Sequence, residues 1–145
     1  MPNPGIEGTY HLMRRKLPDG TVLAYPEVRG MMTFTREHRN FSVLWRDDAG
    51  RFYSECYVAR YTLTESEYTE TADYLFVNDE IGGKGIRYDL EGTTASAPVT
   101  VRGDRTAFDL PQSFEQQLHI RVEFEGPRMT ATGKDLFVDF WERVP

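Results

Sequence analysis

The chain has 145 residues, of which 39% are apolar and 28% charged, a length that suits one domain with one core and a balance that excludes a disordered segment. Its net charge of −6 excludes a partner gripped by its phosphates, nucleic acid above all, because that binding draws on clustered Lys and Arg. Aromatic residues at 13% tilt the composition toward pleated, half-buried surfaces.

The opening stretch MPNPGIEG lacks the basic start, apolar run and small-residue cleavage site of an export signal, so a cytoplasmic setting without membrane insertion is expected. Thr9 to Leu17 alternates and stops at Pro18-Asp19-Gly20, a first strand and its turn. The one basic cluster, Arg14, Arg15 and Lys16, lies on it and points to both faces. Arg29 to Thr35 (RGMMTFT) follows and ends at the polar run 36 to 40. FSVLWR, 41 to 46, meets Asp47-Asp48-Ala49-Gly50, a hairpin turn. In RFYSECYVARYTL, 51 to 63, Tyr53, Glu55, Tyr57, Ala59 and Tyr61 share one face and Phe52, Ser54, Cys56, Val58 and Arg60 the other, and neither is plainly solvent-facing. Cys56 stands alone, which excludes an intrachain disulfide and a cysteine-rich zinc site and fits a reducing compartment.

EYTETADYLFV, 67 to 77, comes next, then Gly82-Gly83-Lys84-Gly85 and IRYDL, 86 to 90. The glycines read as a loop, since a phosphate-cradling motif needs a helix to follow. Residues 91 to 105 are small and polar and are expected to form a loop around a short strand at Val99 to Val101. TAFDL, 106 to 110, reads as a strand, and 111 to 117 as a short helical turn with Ser113 near its start. Then Leu118, Ile120, Val122 and Phe124 alternate strictly with His119, Arg121, Glu123 and Glu125. Gly126-Pro127 turns the chain, and Met129 to Thr132 and 135 to 144 complete it. An open sheet of so many strands leaves two hydrogen-bonding edges bare, so the expected fold is all-β: one antiparallel up-and-down β-barrel of about eight to ten strands over residues 1–145.

Gly8-Thr9-Tyr10, the Asp19-Gly20 turn, Gly30 heading its strand, Ala59-Arg60-Tyr61, Gly85-Ile86-Arg87-Tyr88 and the closing Phe140-Trp141-Glu142-Arg143-Val144 together resemble the bacterial lipocalin-like domain, a calycin-type barrel, over nearly the whole chain. In that family a Gly-x-Trp near the start plugs the closed end of the barrel and a late Arg packs over the indole. The resemblance puts Tyr10 in the Trp position and makes Arg143 the candidate for the Arg.

A barrel of about eight strands is either filled by side chains or wide enough for one small ligand. With Tyr10 facing in, alternation carries Leu12 and Arg14 inward and His11 and Met13 outward. Tyr10, Arg14, Tyr57, Tyr61, Glu70, Tyr74, Arg87 and Trp141 are the candidate ligand-binding residues: aromatics supply area, Arg meets a carbonyl or anion, and Glu counters an Arg or accepts a hydroxyl. Tyr-rich outer faces give the same pattern. The expected function is binding of a small, largely apolar molecule with a carbonyl, carboxyl or phenol group. No cofactor or metal is expected, because His11, His38 and His119 lie on separate segments without paired spacing.

The alternative is a cofactor-independent cyclase, isomerase or lyase of secondary metabolism using the same cavity, with Glu70, Tyr74 and His119 as candidate acid-base groups. His119, on a face with Arg121, Glu123 and Glu125, reads first as part of a solvated strand surface. No Gly-x-Ser-x-Gly elbow is present, and Cys56 sits mid-strand. A filled barrel serving as an interaction domain is the third reading. A homodimer is compatible with all three.

Overall fold

Alternating side chains with turn residues between them produce strands almost throughout. The computed structural model describes residues 5–112 and 119–145. Its elements in chain order are β1 (Gly8–Lys16), β2 (Val22–Ala24), β3 (Val28–Phe34), β4 (His38–Arg46), β5 (Phe52–Leu63), β6 (Glu67–Asp79), β7 (Gly85–Asp89), β8 (Thr94–Arg102), β9 (Arg105–Asp109), β10 (Ile120–Glu125), β11 (Arg128–Gly133) and β12 (Phe137–Arg143). Ten of them form a closed antiparallel up-and-down barrel. The order runs β12-β11-β10-β9-β8-β6-β5-β4-β3-β1, and β12 pairs back onto β1. Closure removes the sheet edges that an open ribbon would expose.

The two remaining strands lie outside the ring. β2 pairs with the second half of β1, from Arg14 to Lys16, and β7 with the second half of β6, from Leu75 to Asp79. Both sit at the end of the barrel where β1 and β6 finish, called the mouth below. The opposite, closed end carries Gly8, the β3–β4 turn and Arg143.

Two stretches fold differently from their sequence expectation. The run 36 to 40 reads as a polar turn, yet β4 begins at His38 because Arg39 faces inward and finds a buried partner. Residues 94–98, read as loop, are the first half of β8. Small side chains suit that position: Ala97 leaves room for the ring of Tyr68, which stacks on Phe108 with centroids 4.3 Å apart. Outside, Thr94 and Ser96 bond across to Thr71 and Thr69 at 2.9 and 2.8 Å. No helix is present among the described residues, and residues 113–117 of the expected helical turn lie outside them.

Tyr10, Phe34, Tyr61, Tyr68, Phe108 and Phe124 fill the closed end, each burial worth roughly 1.5–3 kcal/mol. Tyr10 is the plug. Its hydroxyl donates to the Ile6 carbonyl at 2.8 Å and accepts from Arg143 Nη2 at 2.7 Å, and the guanidinium lies 5.3 Å from the ring centroid. Burial raises the phenol's pKa, which keeps it a hydrogen-bond donor. Gly8 makes the arrangement fit: a Cβ there would lie 2.9 Å from Arg143 Cδ, and its φ of +145° suits glycine.

Candidate functional site

Two extra residues decide which side chains reach the interior. In β1 the register to β12 shifts between Leu12 and Arg14, so Met13 is a bulge. Alternation restarts one residue late. Arg14, expected inside, is exposed and covers the Phe140 ring at 4.2 Å, while Arg15 turns in. In β6, Val58 of β5 pairs with Tyr74 and Ala59 with Ala72, which leaves Asp73 as the bulge. Tyr74, expected to line the cavity, is therefore 39% exposed on the outer face, and Leu75 and Val77 take the inner positions.

The inward residues form two polar groups. Deep in the barrel, Glu70 and Arg39 are 0% and 2% exposed. Glu70 Oε1 accepts from Arg39 Nη1 at 3.0 Å and from Tyr68 OH at 2.6 Å, and Oε2 accepts from Tyr57 OH. Arg39 also lies 5.0 Å from the Phe41 ring and 4.9 Å from that of Tyr57, which stack on each other. Burial opposes the Arg39 charge, but Glu70, Tyr68 and Tyr57 more than offset it and raise its pKa. Burial pushes the Tyr68 phenol well up. With both carboxylate oxygens engaged and out of solvent, Glu70 is placed as a strut of the core. Tyr61 belongs to the same region, stacked on Tyr68 and donating to the Thr35 carbonyl.

Nearer the mouth, Arg15 and Asp139 form a buried two-point ion pair at 2.7 and 2.8 Å, with Arg15 also 4.1 Å from the Phe137 ring. Burial raises the Asp139 pKa despite that partner. The pairings β4–β5, β5–β6 and β6–β7 set Val43, Glu55, Val77 and Arg87 side by side on one row. Glu55 accepts from Tyr53 OH at 3.1 Å, and burial raises its pKa although Arg39, Arg15 and Arg87 draw it down. Burial also raises Tyr53. Beside this row lies a pocket of about 260 Å³ lined by Leu75, Val77, Arg87, Tyr88 and Asp89.

The expected residues thus separate. Tyr57, Glu70 and Tyr61 come together in the core, Arg87 reaches the mouth pocket, and Tyr10 closes the far end. Trp141 is buried with its ring edge 3.0 Å from where a Gly30 Cβ would stand, filling space between walls. Its indole nitrogen has no hydrogen-bond partner among the described residues. His119 is exposed just before β10 and takes no part in either group. Sequence reading passed over Arg15, Arg39, Glu55 and Asp139. For Glu55 a signal existed, since it shares the inner face of β5 with Tyr57 and Ala59. A larger groove of about 450 Å³ lies on the outer wall, between side chains such as Arg14, Glu123, Phe140 and Glu142; its charged lining residues are exposed.

No cluster of metal-ligating side chains occurs among the described residues, and no helix there is long and apolar enough to cross a membrane. Fold and site together define a closed ten-stranded antiparallel barrel with a charged, aromatic interior. No family model, curated protein or solved structure matches the chain.

Proposed function

We propose that the protein binds a small, largely apolar molecule carrying a carbonyl, carboxyl or phenol group in the mouth half of the barrel, in the manner of the lipocalin-like proteins it resembles. The observation that carries this reading is the row Glu55–Val77–Arg87 beside the mouth pocket: apolar floor residues for area and two opposite polar groups to orient one oxygen function. The closed end, packed with rings, holds no such combination. The lone Cys56 fits a reducing compartment as the setting.

The test is native mass spectrometry of protein purified from its own host, with Val77→Trp and Arg87→Met beside the wild type. A retained small molecule is expected, lost with Val77→Trp and weakened about tenfold or more with Arg87→Met. A wild type that carries nothing and takes up no apolar probe, or uptake indifferent to both substitutions, sinks the reading.

One observation favours catalysis as a second reading. Glu55 is a desolvated carboxyl bonded to a phenol, suited to give a proton to a carbonyl and take one back from carbon, as an isomerase, cyclase or lyase requires. Product formed by wild type but not by a Glu55→Gln variant that still binds would establish it.

A further inference from the structure

We infer that β7 is a self-complementary edge through which two copies of this chain join into one continuous sheet. Among the described residues β7 has a single strand neighbour, β6, and its other backbone edge pairs with no described strand. Its outward side chains are large and apolar: Ile86 is 60% exposed, Tyr88 71%, and Leu90, just past the strand, 73%. Natural sheets blunt an exposed edge of this kind with lysine, proline, or charges on the inner face. β7 uses the last device, and its charges alternate in sign: Arg87 and Asp89.

That pattern repels a foreign strand and fits its own antiparallel copy. A two-fold axis at Tyr88 sets this side chain against its equivalent. In that register Arg87 of each copy falls opposite Asp89 of the other, and Ile86 opposite Leu90, so every apolar residue meets an apolar one and every charge its opposite. Shifting the register by one residue sets Arg87 against Tyr88 and Ile86 against Asp89, which breaks both matches. The charges therefore select the partner as well as the alignment. The apolar surface continues onto β6, where Tyr88 meets the Phe76 ring edge-on at 5.1 Å.

Sedimentation velocity over micromolar to near-millimolar concentrations tests this. The wild type is expected to dimerise. Tyr88→Lys, which places like charges on the axis, is expected to raise the dissociation constant by about tenfold or more. Met31→Lys, an exposed apolar site on β3, is expected to leave it unchanged. Ile86→Lys alone weakens the dimer, and adding Leu90→Glu to the same chain restores it, because each new charge then faces its opposite across the axis. Under mild oxidation Tyr88→Cys on a Cys56→Ser background cross-links to its copy, since opposed residues of antiparallel strands lie within disulfide reach. A wild type that stays monomeric throughout overturns the inference, as does a dimer insensitive to Tyr88→Lys or a double variant no tighter than Ile86→Lys. Met31, Ile86, Tyr88 and Leu90 are solvent-exposed, Cys56 is half-buried, and a thermal melt checks that each variant keeps the barrel.

Discussion

Single side chains inside this barrel are held by desolvation as much as by contact, and Glu55 is the clearest case. Burial raises its pKa above the ordinary value of 4.5, so the folded protein keeps a proton that the unfolded chain releases. Stability linked to this group is fully present below pH 4.5 and is lost as pH climbs through the folded pKa, because over that window the unfolded state binds fewer protons. Asp139, also raised by burial, slopes the same way. The Glu55 part is isolated by Glu55→Gln, which has no proton to lose. Melting temperatures measured over a pH series should coincide for wild type and variant in acid and diverge above pH 4.5, with the variant the more stable. A gap that stays constant across the series would show that Glu55 is ordinarily solvated.

At the level of strands, the two bulges set which face each residue takes. Deleting Met13 restores regular pairing between β1 and β12 and leaves Tyr10, Leu12 and Arg15 facing in. Deleting Asp73 does the same for β6, with Ala72 and Leu75 still inward. Each deletion is expected to cost about 1–3 kcal/mol through lost local twist while the barrel still folds. Deleting Glu123 from the unbulged β10 instead sends Phe124 outward, and that variant is expected to lose its near-ultraviolet circular dichroism. The same bulges limited what the sequence disclosed. Strand positions, the antiparallel meander and its closure follow from alternation and turn residues, and the inner face of β5 contains Tyr57, Ala59 and Tyr61 as a set. A bulge leaves no mark on composition or period, so Arg14 and Tyr74 read as inward when each is one residue out of phase. Arg39 was hidden differently, as a charge in a polar run whose partner lies on β6. The small residues of β8 read as loop because their role is to make room for Tyr68.

For the whole molecule, closure should matter more than where the chain starts. Residues 5–9 and 143–144 meet at the closed end: Val144 N donates to the Thr9 carbonyl at 2.8 Å, and Arg143 Nη2 to that of Gly5 at 3.1 Å. A short glycine-serine linker from Pro145 to Gly5 therefore closes only a small loop, whose entropy changes slowly with length. New ends fit between Gly103 and Asp104, both exposed in the turn joining β8 to β9. This permutant keeps every strand pair, including β12 on β1, and should melt within roughly one to two kcal/mol of the parent. Ending the chain after Gly133 removes β12, bares an edge on both β1 and β11, and deprives Arg15 of Asp139. That truncation should aggregate or fail to fold, since an uncompensated buried charge alone costs about 3–5 kcal/mol. A truncated chain that melts cooperatively beside a permutant that does not would mean that chain order, and not ring closure, holds the barrel together. Because β7 and the mouth pocket lie away from both the linker and the new ends, the proposed dimerisation and ligand uptake are expected to be the same in permutant and parent.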